Sequence, residues 1–337
     1  MTGAGSELAV AAFAAETGSH LLEGPRTERF RRFCREFDER RFLADLERCG
    51  FRWLPRGSAD FPRRLRSAHD PPPGLFLRGN APVELLERPA VAIVGARACS
   101  AYGSGVAQSV ARELAAAGVV VISGLARGVD AAAHRGALET GTTVAVLGCG
   151  IDRDYPSAHA QLAARIAERG LIVSEYPPGV EPAPWRFPAR NRIVAALAEA
   201  TVVVEARERS GALITADLAL DEGREVLAVP GEITSALSRG TNALLRLGAT
   251  PVTGAADVLA AIGIEAVPAV DAGPPAAVTG SAGVVLGLIR DEPAGADELG
   301  RRSGLPAAEV ARALAELEVA GLVSQTDGEY RGVMITR

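Results

Sequence analysis

The sequence predicts an α/β protein built on a doubly wound parallel sheet, with a helical N-terminal region before it and a C-terminal winged helix after it. Three observations carry this. Short apolar runs recur at 91–94, 119–122, 144–147, 171–173, 201–204 and 226–229, too uniformly apolar for strands with one wet face and so suited to a parallel sheet covered on both sides. Between them, 106–117, 162–167, 193–198 and 212–220 place apolar residues three and four apart, the spacing of crossover helices. Beyond a Pro-, Ala- and Gly-rich break, the order helix, short helix, turn, long helix, hairpin is that of a winged helix-turn-helix.

Residues 1–57 form the first region, helical and locally basic. From Arg26 to Arg66 there are 13 arginines against 7 acids, a pattern read as a solvated, Arg-rich helix face. Turn-forming sequence follows, Asp70-Pro71-Pro72-Pro73-Gly74 and Arg78-Gly79-Asn80, around an apolar run at 75–77 that leads a strand into the main domain, 58–264. Residues 265–280, with Pro268, Pro274 and Pro275, show no periodicity and read as a linker. The winged-helix module occupies 281–337. Its 6 arginines against 9 acids favour contact with protein over contact with phosphate.

The whole chain, 337 residues with 48% hydrophobic and 23% charged side chains, has the composition of a globular protein. Its net charge of -5 excludes a protein-wide field that draws polyanions, so a nucleic-acid site must be a local patch. Every cation is arginine, because the sequence holds no lysine. Schiff-base and P-loop lysine chemistry are thereby excluded. Cys34, Cys49, Cys99 and Cys149 spell no CxxC, and with only four histidines no zinc cage is written. No metal and no cofactor are expected. The N-terminus lacks the basic start of a secretory signal, and the uncharged stretch 114–126 is too short to span a bilayer. The expectation is a cytoplasmic protein without a membrane partner.

In a parallel sheet, ligands sit beyond the carboxyl ends of the strands. Those ends read Gly95-Ala96-Arg97, Ser123-Gly124-Leu125-Ala126-Arg127-Gly128, Gly148-Cys149-Gly150, Glu205-Ala206-Arg207-Glu208-Arg209-Ser210-Gly211 and Pro230-Gly231. Glycine lets a phosphate approach backbone donors without a Cβ in the way, and arginine supplies planar, bidentate donors. Their repeated pairing at one edge predicts a phosphate-binding rim. The first turn lacks G-x-G-x-x-G and the second strand lacks a closing acid, which argues against NAD or FAD. Between the fourth and fifth strands, Trp185-Arg186-Phe187-Pro188-Ala189-Arg190-Asn191-Arg192 combines aromatics with arginines, as single-strand binders do. The same residues could equally anchor a loop and pair with acids.

Val91-Ala92-Ile93-Val94-Gly95-Ala96-Arg97, the Ser123 to Asp130 segment, Phe187-Pro188-Ala189-Arg190-Asn191-Arg192, Ser210-Gly211-Ala212-Leu213-Ile214-Thr215 and Ala228-Val229-Pro230-Gly231 with Gly240-Thr241-Asn242 together resemble the DprA/Smf DNA-processing family. The resemblance runs from about Pro62 to Val258. It implies an extended Rossmann-like fold that binds single-stranded DNA, dimerises, and loads a RecA-type recombinase onto DNA taken up in natural transformation. It also implies roles for residues of this chain. Gly95, Arg97, Ser123, Gly124, Arg127 and Gly128 would hold backbone phosphates; Phe187 would stack a base; Arg190, Asn191 and Arg192 would line the groove; and Ser210 and Gly211 would close it. Ala96 departs from the family pattern, in which a hydroxyl residue is usual, and Pro184 stands where some members carry lysine.

The alternative is a nucleotide hydrolase of the phosphoribohydrolase kind. Its P-G-G-x-G-T signature is incomplete at Pro230-Gly231-Glu232. Glu205 is the candidate general base, against the reading that it caps a loop or, as favoured, pairs with Arg207 or Arg209. Asp130 and His134 share a helix face but have no third ligand, so Asp130 reads as a first-turn acid facing the helix dipole. Ser123 has no histidine to activate it. No catalytic set is spelled, and a binding protein rather than an enzyme is expected.

Overall fold

All six apolar runs become parallel strands, because chain segments with no polar alternation can bury both faces only between two layers of helix. The computed structural model describes residues 6–17, 27–265, 278–320, 322–326 and 328–332. The chain divides into two compact units, residues 1–266 and residues 267–337. The first unit carries strands β1 (Phe51–Pro55), β2 (Gly74–Arg78), β3 (Ala90–Val94), β4 (Val120–Ser123), β5 (Thr143–Leu147), β6 (Leu171–Ser174), β7 (Ala200–Val203), β8 (Glu225–Ala228) and β9 (Thr250–Pro251). They form a nine-stranded sheet in the order β1-β2-β6-β5-β4-β3-β7-β8-β9. Strands β3 to β9 pair in parallel, while β2 runs antiparallel to β6 and β1 antiparallel to β2. The 75–77 run is thus a strand. Strand β1 lies in a stretch whose sequence leans helical, and its pairing to β2 is what makes it extended.

The pleat sorts the strand residues into two cores. Ala90, Ala92 and Val94 of β3 face one layer with α8 (Arg186–Leu197) and α9 (Gly211–Asp221). Val91 and Ile93 face the other, with α5 (Ala101–Ala116), α6 (Val129–Thr140) and α11 (Ala255–Ala261). A short α4 (Arg63–Arg66) packs beside α8, α7 (Ala160–Arg169) covers β5 and β6, and α10 (Arg239–Arg246) lies against β8.

The N-terminal helices α1 (Glu7–Thr17), α2 (Glu28–Glu36) and α3 (Glu39–Arg48) belong to this same unit. Leu8, Ala11 and Leu46 share a core with Phe76, Leu147 and Ile172 of the sheet, and Trp53 packs on Phe76 with ring centroids 4.5 Å apart. The arginine run here is partly self-neutralised, since Arg31 and Arg35 pair with Glu28 and Arg32 with Glu36. Such exposed pairs add little stability.

Of the linker expected at 265–280, residues 266–277 lie outside the described residues. The second unit contains α12 (Gly280–Asp291), α13 (Ala296–Ser303), α14 (Ala307–Val319) and the hairpin β10 (Val323–Thr326) with β11 (Glu329–Gly332). Val285, Ile289, Leu299, Val310 and Leu314 form its core. Gly304, at φ +68, ends α13 in the left-handed conformation that glycine adopts without penalty. Its Arg301 and Arg302 face Glu298 and Glu292. Among the described residues no helix is long and apolar enough to cross a membrane.

Candidate nucleic-acid interface

Strand order reverses at β3, which has β4 on one side and β7 on the other. The chain leaves β3 for α5 on one face of the sheet and leaves β7 for α9 on the opposite face. The two connecting loops therefore diverge and open a crevice, the usual place for a ligand in a doubly wound sheet. A cavity of about 340 Å³ lies there, lined by Gly95, Arg97, Phe187, Asn191, Arg207, Arg209, Ser210 and Gly211. A second, of about 420 Å³, lies beside it over the β4–α6 loop and is lined by Gly124, Arg127 and Tyr155. Arg97, Phe187 and Arg190 line both cavities.

The arginines of this region fall into two kinds. Arg97, Arg127, Arg207 and Arg209 are exposed, and no ion pair engages them among the described residues. Arg190 is buried and donates to the carbonyls of Gly124, at 2.8 Å, and Val146. Burial pushes the Arg190 guanidinium pKa down, and Asp130 opposes the shift. Asp130, itself pushed up by burial and held back by Arg190, accepts from the N–H groups of Gly124 at 3.1 Å and Ala126 at 3.2 Å. It stands in the first turn of α6 and folds the phosphate-candidate loop back onto the helix. Leu125, in that loop, has φ +58 and is fully buried. Such a strained backbone persists only where its surroundings fix it.

The 185–192 segment is not a loop. Helix α8 begins at Arg186, and Pro188 falls in the first turn, where a missing N–H costs nothing. Helical winding sends the motif's side chains in different directions. Phe187 faces the cavities, with the Arg97 guanidinium 5.3 Å from its ring centroid and the Tyr155 ring stacked on it at 5.3 Å and 27°. Asn191 lines the first cavity and donates to the Gly211 carbonyl at 3.3 Å. Arg186 turns onto the rings of Trp185 and Tyr176. Arg192 lines neither cavity. It donates to Asp70 at 2.8 Å and Glu175 at 2.7 Å, and these acids outweigh burial to raise its pKa. The groove-lining role expected for Arg192 gives way to an ion pair, because its two acids reach it from the turn before β2 and the end of β6.

Two further expectations change. Ser123 is buried and its hydroxyl donates to the Ile93 carbonyl at 2.6 Å, so it ties β4 to β3 instead of facing a ligand. Gly128 lines neither cavity. At φ +75, a Cβ there would stand 2.2 Å from the Ala96 carbonyl oxygen, so this glycine lets the two glycine-rich loops touch. Gly95 and Gly124 do line the cavities, and Cβ atoms on them would strike Val129 and Arg190. Ser210 caps α9 by accepting from Ala212 N–H at 3.3 Å, and beside Gly211 the space is open.

Glu205 does not pair with Arg207 or Arg209. Its buried carboxylate accepts from the N–H of Ser100 at 2.9 Å and from the Ser100 hydroxyl at 2.5 Å, fixing the start of α5. A Cβ on Gly103 would meet this carboxylate at 2.4 Å. His134 is buried against Thr143 at 2.7 Å, and the Thr143 hydroxyl donates onward to Val121. Its Nδ1 therefore carries the proton. Its Nε2 has no partner, and burial, with Arg190 and His159 nearby, pushes its pKa down to about 3. Among the described residues no cluster of three or more His, Cys, Asp or Glu side chains could hold a metal. Tyr155 was not among the expected site residues; the only sign of it in the sequence is the Asp154-Tyr155-Pro156 turn shortly after the glycines that end β5.

Residues 52–263 match the family described as DNA recombination-mediator protein A, and residues 268–329 match the DprA winged helix domain. The chain is 46% identical over 274 residues to the putative DNA processing protein DprA of Mycobacterium tuberculosis, covering 80% of this chain and 70% of that one. It is similar to the X-ray structure of DNA processing protein A from Streptococcus pneumoniae, with a TM-score of 0.64 and 38% identity over 76% of this chain and 92% of that one. It is similar also to DNA processing protein A from Helicobacter pylori, whose structure concerns a single-stranded DNA binding mode, with a TM-score of 0.57 and 32% identity over 62% of this chain and 94% of that one.

Proposed function

We propose that this chain, which belongs to the DNA recombination-mediator protein A family and so serves DNA processing and recombination, binds single-stranded DNA in the crevice between β3 and β7. The observation that carries this reading is the set of exposed arginines without acid partners, Arg97, Arg127, Arg207 and Arg209, ranged beside an aromatic wall at the switch point. Arginines neutralise backbone phosphates and aromatic faces stack bases, a combination that tracks a single strand with little regard for its sequence. Gly95 and Gly124 let backbone approach the ligand, Phe187 contributes to the stack, and Arg190, Asn191, Ser210 and Gly211 shape the crevice. The solved relative from Helicobacter pylori, studied for its single-stranded DNA binding, supports the ligand.

In this reading the protein is a mediator and not an enzyme: it protects incoming DNA and passes it to a RecA-type recombinase during natural transformation, in the cytoplasm and as a homodimer. Commitment of Glu205 to the start of α5 supports the absence of hydrolysis, since a general base must be able to reach a substrate. The test is fluorescence anisotropy with labelled single- and double-stranded oligonucleotides of equal length across a salt series. The expected result is salt-sensitive preference for the single strand, reduced in Arg97→Ala and Arg127→Ala. Absence of binding at low salt overturns the reading and directs the search to nucleoside monophosphates, with Glu205 as the first residue to change. Recombinase loading is tested by adding the protein to a RecA-type ATPase assay on oligonucleotides coated with a single-strand-binding protein. Shortened lag is expected, and an unchanged lag refutes the loading role.

A further inference from the structure

We propose that the face on which a DNA base stacks belongs to Tyr155, with Phe187 standing behind it as the positioning residue. This rests on the single-stranded DNA reading of the crevice. Phe187 is already covered: the Arg97 guanidinium lies over its ring at 5.3 Å and Tyr155 stacks on it at 5.3 Å. It is also wedged over Gly148, where a Cβ would come within 2.9 Å of its Cδ1. Phe187 lines both cavities, but a base laid flat on its ring competes with Arg97 or with Tyr155 for that face. Tyr155 is different. One face rests on Phe187, while the residue stays 43% exposed and lines the cavity that also holds Arg127. Its hydroxyl has no hydrogen-bond partner among the described residues.

An aromatic ring held in place from behind, partly exposed and lining the same cavity as Arg97 and Arg127, presents the surface a nucleobase requires. The cavity volume of about 420 Å³ lies in the range of small-ligand sites. The column Arg97–Phe187–Tyr155 thus continues the base stack of the strand into the protein. Because Tyr155 contributes a π face and no charge, it adds affinity without adding to the salt dependence.

The experiment combines anisotropy and photocrosslinking on the full-length protein, with oligo-dT carrying single 5-iodo-deoxyuridine substitutions. Tyr155→Ala is expected to weaken binding by about 5- to 150-fold, equivalent to about 1 to 3 kcal/mol, with an unchanged salt slope and melting temperature. Tyr155→Phe should bind within about twofold of the parent, and the crosslinked peptide should contain Tyr155. Parent-like binding by Tyr155→Ala together with weak binding by Phe187→Ala, or a crosslink to Phe187, overturns the proposal while leaving the crevice reading intact. If Arg97→Ala also binds like the parent, the crevice itself is the wrong place.

Discussion

Arg97 and Arg192 are both arginines in segments that look equally fit for phosphate, yet the fold treats them oppositely. Arg97, with Arg127, Arg207 and Arg209, stands exposed at the ends of β3, β4 and β7 with no ion pair among the described residues. Arg192, with Arg190, is drawn under the surface and answered by Glu175, Asp70 and Asp130. What separates them is where the backbone aims them. Loops that diverge at a switch point hold their cations outward, whereas successive residues of a helix point around a circle and only some can face a groove. The difference predicts that the buried arginines govern stability and the rim arginines govern DNA.

The largest effect belongs to Arg192. Glu175 is only 1% exposed, so Arg192→Ala leaves a carboxylate buried without its cation, and removing one partner of such a pair costs about 3 to 5 kcal/mol. Urea unfolding of the variant should show the loss directly. A change below about 1 kcal/mol would mean that the pair is solvated and that burial does not set Arg192 apart from the rim arginines. Next stands Gly128→Ala, which forces a side chain into a left-handed backbone and against the Ala96 carbonyl. Strain and overpacking together should cost about 2 to 4 kcal/mol. DNA affinity should fall as well, since the two rim loops can no longer touch. Unchanged stability with lost binding would instead place Gly128 at the ligand, as the family resemblance implies.

His134, buried in α6, gives a pH test of the buried side. Folded, it stays neutral down to about pH 3, whereas unfolded it takes up a proton near the ordinary histidine value of about 6.5. Below that value the unfolded chain binds the extra proton, so stability falls as the pH drops from about 6.5 toward 3, by at most about 1.4 kcal/mol per unit. By pH 5 the loss reaches about 2 kcal/mol. His134→Asn keeps an N–H for Thr143 but cannot titrate. The difference in unfolding free energy between pH 7 and pH 5 should shrink by that amount in the variant, and an identical difference in both proteins would refute the burial argument.

These contrasts also mark what the sequence conveys and what it conceals. Uniform apolar runs and helical spacing are local properties, and they locate the strands β3 to β8 and the winged helix to within a few residues, but the spacing places the start of α8 seven residues late and does not single out α6. Glycine- and arginine-rich strand ends are local too, and the cavities lie there. Burial of a charge is not local. Nothing near Arg192 in the sequence announces Asp70, 122 residues away, or tells that the helix begins early enough to turn Arg192 from the crevice. Glu205 likewise seemed suited to Arg207 and Arg209 because they are its neighbours in sequence, but its partner, Ser100, comes from the loop after β3. Tyr155 escaped for the same reason: its ring gains meaning only by meeting Phe187, 32 residues on.

The smallest effect on stability, and the sharpest on function, is expected at Arg97. An exposed side chain without an ion pair should be removable within about 0.5 kcal/mol, so Arg97→Ala should unfold like the parent. Its loss should appear in the salt dependence of single-strand binding, since each neutralised phosphate contributes about 0.7 to the slope of log affinity against log salt. Arg97 has a second contact, its guanidinium over the Phe187 ring, and a lysine can supply the charge but not the planar stack. Arg97→Lys should therefore keep the slope and lose affinity by a salt-independent factor, while Arg97→Ala loses both. If the two variants behave alike, the charge of Arg97 does not meet a phosphate, and its place in the crevice is to hold the Phe187 ring for Tyr155.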